Sequence, residues 1–313
     1  MPKIVIPDDA PPVLAGSRAF AALRGQPGLD YHDTLPGSEA RLIERIRDAD
    51  VVINIRSSCK FPAAVFAACP KLRLLSIWGT GTDHVDLAAA ARHGVTVTNT
   101  PAVSAISIAE HALALLLAVA RQIPRIDSST RAGEWARGAF VQLYGKTAGI
   151  LGLGAVGREF ARLVRGIGMK AIAWTMHPNP ALGVPLVELE ELLATADVVS
   201  LHLRLSAETT GFLDARRLGR MKAGAILLNT ARGPIVDEAA LVEALRAGRL
   251  RGAGLDVFDV EPLPAAHPLT TLPNVVLSPH CAGITPEALE AGLQLAVDNV
   301  ESFLQGTPRN VVG

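Results

Sequence analysis

The stretch Gly152-Leu153-Gly154-Ala155-Val156-Gly157 restricts the fold more than any other part of this 313-residue chain. It follows an apolar run, Ala148 to Leu153, that reads as a strand. It opens a helical pattern from Ala155 to Gly166. Glycines at this spacing do three different things. The first permits a tight turn, the second lets a phosphate approach the backbone, and the third lets helix and strand pack closely. A helix N-terminus at that point offers unpaired N–H groups and the positive end of its dipole to a pyrophosphate. The strand before and the helix after are the context the motif requires, so the stretch predicts dinucleotide binding.

The rest of the chain agrees with that beginning. Short apolar runs at Ile4–Ile6, Val51–Ile55 and Leu72–Ile77 read as buried strands, Val95–Thr98 is β-branched, and Glu39–Arg47 has helical spacing. A second series starts near Thr147. Its strands are expected at 148–153, 170–174, 197–203, 225–228, 253–257 and 274–277. Its helices are expected at 155–166, 187–194, 217–221 and 238–247. Strands alternating with helices predict βαβ units and parallel sheets, an α/β fold of two Rossmann-like domains. A helix from Pro101 to Arg121 is expected to cross from one series to the other, and a closing helix from Pro286 to Leu304 to return to the first. The expected division is a discontinuous domain of residues 1–99 plus 285–313, which binds substrate, and a nucleotide-binding domain of residues 100–284.

Composition narrows the classes. Hydrophobic residues make up 49% and charged residues 19%, enough apolar surface for packed cores. Lys+Arg and Asp+Glu are both 30 and no basic run occurs, which argues against a nucleic-acid partner. Cys59, Cys69 and Cys281 form no CxxC pair, so neither a disulfide framework nor a structural metal site is expected. The amino terminus lacks the apolar core of a signal peptide, and the apolar run Ala112–Ala120 is too short to span a bilayer. A cytoplasmic protein without a membrane partner is expected. The 112–120 run should be buried on nearly all sides, in a core or at a subunit interface.

Three polar residues end successive strands of the second series: Arg232 in Leu227–Gly233, Glu261 in Leu255–Pro262 and His280 in Val275–His280. In an open parallel sheet the carboxyl ends of the strands line the ligand crevice. An Arg there can pair a carboxylate bidentately and polarise a carbonyl. A His can deliver a proton, and a Glu can orient the imidazole and favour its protonated form. Taken singly, each could be a surface charge, a turn residue or a structural histidine. His84, His111 and His202 are assigned to packing. The ribose position after Ala171–Trp174 carries Thr175, where an Asp or Glu would select NAD. Thr175 repels no 2′-phosphate, and Arg204 after the next strand could add positive charge, so NADP is admitted beside NAD.

With these residues in hand, the chain resembles the D-isomer-specific 2-hydroxyacid dehydrogenases over nearly its full length. The matching segments are Gly79–Asp86, Asn99–Pro101 through Ala109–Glu110, Gly145–Gly157, Asn229–Gly233, Asp256–Pro262 and Ser278–Gly283. The resemblance implies a flavodoxin-like substrate domain beside the dinucleotide-binding one, with a cleft that closes on a small 2-keto or 2-hydroxy acid. It implies Arg232 as substrate-binding and catalytic, Glu261 as partner of the histidine and His280 as acid–base. It implies that the Gly79-Thr80-Gly81 loop holds the substrate carboxylate through the amides of Thr80 and Gly81. That agrees with the anion-binding capacity of glycine-flanked loops. Cofactor contacts are expected at Gly152, Gly154, Ala155, Val156, Gly157, Thr175, Thr230, Ala231 and Asp256, with Thr80 counted among them. A homodimer built around residues 101–121 is also implied. Departures are Thr175 and Arg204, both on the adenosine side. The chain is expected to stop short of the regulatory domains of the longer phosphoglycerate dehydrogenases. Non-enzymatic NAD(H)-sensing corepressors of the same fold can keep the same three residues and are the alternative. Arg56, Ser57 and Trp78 are candidates for substrate selectivity.

Overall fold

The computed structural model describes residues 2–25 and 27–312. Its contacts divide the chain into two compact units, residues 1–104 with 284–313, and residues 105–283.

The first unit runs β1 (Ile4–Ile6), α1 (Arg18–Arg24), β2 (Leu29–Tyr31), α2 (Glu39–Ile46), β3 (Val51–Asn54), α3 (Ala63–Ala68), β4 (Leu74–Ile77), α4 (Leu87–Arg92) and β5 (Thr96–Thr98). The strands form one parallel sheet in the order β2-β1-β3-β4-β5. β1, β3 and β4 are buried along their whole length, as expected of strands covered by helices on both faces. Side-chain caps start the helices: the Ser17 hydroxyl accepts from the Phe20 amide, the Ser38 hydroxyl from Arg41 and the Asp86 carboxylate from Ala89.

The second unit starts with α5 (Ala105–Arg121) and α6 (Ile123–Arg131). It continues through β6 (Thr147–Leu151), α7 (Ala155–Gly166), β7 (Lys170–Trp174), α8 (Leu189–Thr195), β8 (Val198–Leu201), α9 (Ala215–Arg220), β9 (Ile226–Asn229), α10 (Glu238–Arg246), β10 (Gly252–Leu255) and β11 (Val275–Leu277). Its six strands are parallel in the order β11-β10-β9-β8-β6-β7. Both sheets are therefore wound outward in two directions from a central pair. The direction reverses between β1 and β3 in one unit, and between β6 and β8 in the other. The fold is α/β with two parallel sheets, as the strand–helix alternation predicts.

Three details differ from the sequence reading. The crossover helix begins at Ala105, because residues 101–104 form a turn in which Ala102 adopts φ 65°. That helix buries one stripe, Ala109, Ala112, Leu115, Leu116, Val119 and Ala120, but leaves Ile106 and Leu117 exposed, so it is not covered on all sides. Its buried stripe meets β10 closely: a Cβ on Gly254 would lie 2.8 Å from Leu115 Cβ. The short elements α1, β2, α3, α4 and α6 were not expected from the sequence. The closing helix α11 (Pro286–Leu304) belongs to the first unit, where it packs on β4 and α1. Among the described residues, no single helix is long and apolar enough to cross a membrane.

Candidate active site

The glycine turn sits at the carboxyl end of β6, where the second sheet reverses direction. Gly152 has φ +96°, and a Cβ there would lie 2.6 Å from the carbonyl oxygen of His202. A Cβ on Gly157 would lie 2.1 Å from the carbonyl oxygen of Gly152, so the third glycine is what lets α7 start against the turn. Gly154 differs from both: a Cβ there would meet nothing within 4 Å. It is the exposed N-cap of α7 and supplies no side-chain acceptor, so open space faces the helix N-terminus. Ala155 and Val156 follow it, half-buried.

Further along the same edge, Thr230 is 8% exposed. Its hydroxyl oxygen is enclosed and has no hydrogen-bond partner among the described residues. A buried hydroxyl left unpaired costs about 1–3 kcal/mol, which a ligand group could recover. The open face above Gly154 and the orphaned Thr230 hydroxyl both fit a dinucleotide laid across the carboxyl ends of β6, β8 and β9. Thr175 is half-buried just beyond β7, followed by exposed Met176 and His177, and Arg204 is exposed beyond β8.

The Arg, Glu and His come from three loops at the same edge. Asn229, the last residue of β9, shapes the first. Its carboxamide accepts from the Ala231 amide at 3.0 Å and donates to the Arg232 carbonyl at 2.9 Å. Arg232 is half-buried and donates from Nη1 to the Ala231 carbonyl at 2.8 Å. The next residue, Gly233, lies against the second loop: a Cβ there would sit 2.0 Å from the carbonyl carbon of Phe258. Glu261, in that second loop, folds back on it and accepts from the Phe258 amide at 3.0 Å through Oε1. Its other oxygen, Oε2, is 2.7 Å from Nδ1 of His280, and about a third of each side chain is exposed. Burial opposes ionisation of Glu261. The His280 hydrogen bond and charge, the Phe258 amide and the Arg232 charge outweigh it and hold the carboxyl below its ordinary range. A carboxylate only accepts, so Nδ1 carries hydrogen and Nε2 is the nitrogen left to exchange a proton with a ligand.

Asp256 is placed differently from a simple ligand contact. It is 1% exposed, and its carboxylate accepts from the Ser278 hydroxyl at 2.6 Å and from the amides of Cys281 and Ala282 at 3.0 and 2.9 Å. His111, assigned to packing from the sequence, has Nε2 2.8 Å from Ser278 Oγ. The two residues are 167 positions apart, and no local pattern links them. Burial and the Asp256 charge push the Cys281 thiol up, which disfavours its reactive thiolate form.

In the first unit, Gly79 has φ +131° and its amide donates to Thr100 Oγ1 at 2.7 Å, while the Asn99 carboxamide donates to the Thr80 carbonyl. Gly81 follows, half-buried. Arg56 donates to the Pro11 carbonyl and lies 3.9 Å from Asp9, with its side chain only 13% exposed. Trp78 is seated on α11, where a Cβ on Gly292 would lie 1.8 Å from its indole nitrogen.

A doubly wound parallel sheet with a glycine turn where its winding reverses, and a hydrogen-bonded His and Glu at the same edge, defines a class: dinucleotide-binding α/β proteins. The chain belongs, within that class, to the D-isomer-specific 2-hydroxyacid dehydrogenase family, whose NAD-binding-domain model matches residues 113–282. It is 40% identical over 293 residues to a D-3-phosphoglycerate dehydrogenase of Archaeoglobus fulgidus, covering 91% of this chain and 55% of that one. It is 39% identical over 293 residues to a glyoxylate reductase of Korarchaeum cryptofilum, covering 90% and 88%. The chain thus spans about half the length of the phosphoglycerate dehydrogenase and most of the glyoxylate reductase. The crystal structure of the TT0316 protein from Thermus thermophilus superposes with a TM-score of 0.89 at 39% identity, over 99% of both chains.

Proposed function

We propose that the chain is a reductase that interconverts a small 2-keto acid and the D-2-hydroxy acid, with NAD or NADP as the redox partner. The observation that carries this reading is the 2.7 Å pair between His280 Nδ1 and Glu261 Oε2, with Arg232 charge beside it. When bound, the reduced nicotinamide supplies the hydride for C2 of the keto acid. The chain supplies the rest. Arg232 pairs the substrate carboxylate and polarises the carbonyl. His280, with Nδ1 held by Glu261, gives a proton from Nε2 to the forming alkoxide oxygen and takes it back in the reverse direction. The amides of Thr80 and Gly81 hold the carboxylate, and Gly79 contributes its φ +131° conformation, its own amide being engaged by Thr100.

Gly152, Gly154, Ala155, Val156 and Gly157 take the pyrophosphate, Thr175 faces the ribose, and Thr230 and Ala231 contact the cofactor. Asp256 would stand near the carboxamide of a bound nicotinamide. Residues 1–104 with 284–313 are assigned to substrate, and residues 105–283 to cofactor. Exposed Ile106 and Leu117 on α5, Ile123 on α6, and Trp135 and Tyr144 beyond it support a homodimer formed through this region. Sedimentation equilibrium checks that assignment, and a monomer at micromolar concentration overturns it.

The test is a panel of 2-keto acids assayed with NADH and with NADPH. Turnover on at least one acid is expected, with less preference for NADH than an acidic residue at position 175 would impose. His280→Ala should lose about 10²- to 10⁴-fold in kcat while still binding cofactor. Cofactor binding without turnover on any acid in the panel would favour a nucleotide-sensing protein instead.

A further inference from the structure

We propose that His111 is a positioning residue for the acid–base loop, acting on His280 through Ser278 and Asp256. The proposal rests on the functional reading above for what His280 does, and on hydrogen bonds within residues 105–283 for how it is held.

His280 has φ +51°, a left-handed conformation that a residue with a side chain keeps only when its surroundings impose it. Asp256 imposes it. Its backbone carbonyl accepts from the His280 amide at 2.7 Å. Its carboxylate takes the Ser278 hydroxyl on one side of His280, and the Cys281 and Ala282 amides on the other. One buried carboxylate therefore grips the loop both before and after the imidazole.

His111 completes this arrangement from α5. The single hydroxyl proton of Ser278 goes to Asp256, so Ser278 Oγ presents only lone pairs to His111 Nε2, 2.8 Å away. Nε2 must then carry a hydrogen and donate it. That bond orients the hydroxyl and polarises it toward the carboxylate. His111 stands on the second turn of a helix packed on β9, β10 and α7, which is a stiff mounting for the donor. His111, Asp256 and Cys281 also bring potential metal-ligand atoms within 4.8 Å of one another. Both carboxylate oxygens already accept hydrogen bonds there, and the Cys281 thiol is pushed away from its thiolate form. The cluster is built as a hydrogen-bond relay and not as a metal cage.

A donor role and a packing role predict different variants. His111→Leu fills much of the volume but cannot donate. His111→Gln places an amide N–H the same number of bonds from Cβ as Nε2. Two readouts on the full chain separate the roles: hydrogen–deuterium exchange of the segment 278–283, and kcat against KM on the keto acid found active. In His111→Leu, exchange of that segment should quicken and kcat should fall, each about tenfold, with cofactor KM little changed. His111→Gln should recover most of both. Equal losses in the Leu and Gln variants, or unchanged exchange in the Leu variant, would overturn the proposal. Ser278→Ala cuts the same link without touching α5 and replaces His111→Leu if that variant does not fold. If the native chain reduces no 2-keto acid, the functional reading fails, and the exchange measurement still decides the role of His111.

Discussion

The two sheets share a winding rule and differ in what stands where the winding reverses. In an open parallel sheet that position is the usual ligand crevice. In the first unit, between β1 and β3, it is filled. Asp8 is fully buried, and its carboxylate accepts from the amides of Ile55 and Arg56 and from the carboxamide of Asn54. Asp9 beside it accepts from Val13, Leu14 and Tyr31, and Asn54 continues to His84 at 2.8 Å. In the second unit, between β6 and β8, the same position holds a glycine turn with open space above Gly154. A polar residue at a strand end is therefore not a site in itself. What matters is whether the chain's own backbone has already consumed its hydrogen-bonding capacity.

The sharpest way to break this comparison is to exchange expectations between the two ends. Asp8→Ala leaves buried donors without an acceptor and should cost about 3 kcal/mol or more in urea unfolding. Glu261→Gln should change stability by roughly 0.5 kcal/mol or less, yet lower kcat about 10²-fold. A stable Asp8→Ala protein, or a Glu261→Gln protein that unfolds easily, would erase the distinction.

Acid and base titration sharpen it next, because the buried groups of the two units act in opposite directions. Burial is the largest influence on Asp8, outweighing its hydrogen bonds and Arg56, and raises its pKa from 3.8 to about 6. Its contribution is fully present below the unfolded value and is lost as pH rises through about 6. His202 lies against the ring of Phe160, with Nε2 2.9 Å from Ser200 Oγ, and burial lowers it from 6.5 to about 3. Its contribution is present above the unfolded value and is lost as pH falls toward about 3. Between pH 4 and 6 the two slopes oppose each other. Asp8→Asn should leave stability falling toward acid, and His202→Asn should leave it falling toward neutrality, by about 1 kcal/mol per pH unit in each case. Parallel profiles for the native chain and both variants would refute the opposition.

The smallest effect concerns Thr230. Thr230→Val removes a buried hydroxyl that has no partner among the described residues. The cofactor-free protein should gain about 1 kcal/mol while the cofactor binds several-fold more weakly by calorimetry. A loss of stability without any change in binding would mean that the hydroxyl is structural.

Much of this was legible in the sequence, for identifiable reasons. Parallel strands covered on both faces leave unbroken apolar runs, so Val51–Asn54 and Ile226–Asn229 could be found without knowing their neighbours. The glycine turn and the strand-end Arg232, Glu261 and His280 were visible because each falls at a position fixed by local pattern. The three-residue β2, Leu-Asp-Tyr, was not visible because it is half-buried along its length and leaves no unbroken apolar run, whereas the equally short β1 is wholly buried and does. Trp78, a candidate for selectivity by position alone, depends on Gly292 of a helix more than 200 positions away for its seat. The relay from His111 to Asp256 was hidden for the same reason. It is a contact between distant segments, and it exists only once β10 and α5 have packed through Gly252 and Gly254.

The close approach at Gly233 has a consequence for inheritance. With the Phe258 carbonyl carbon 2.0 Å from where its Cβ would be, the segment bearing Arg232 and the segment bearing Glu261 are fitted backbone to backbone. Neither can be lengthened, shortened or recombined with a relative's version independently of the other. Chimaeras that swap residues 230–234 together with 257–262 are the viable units of exchange.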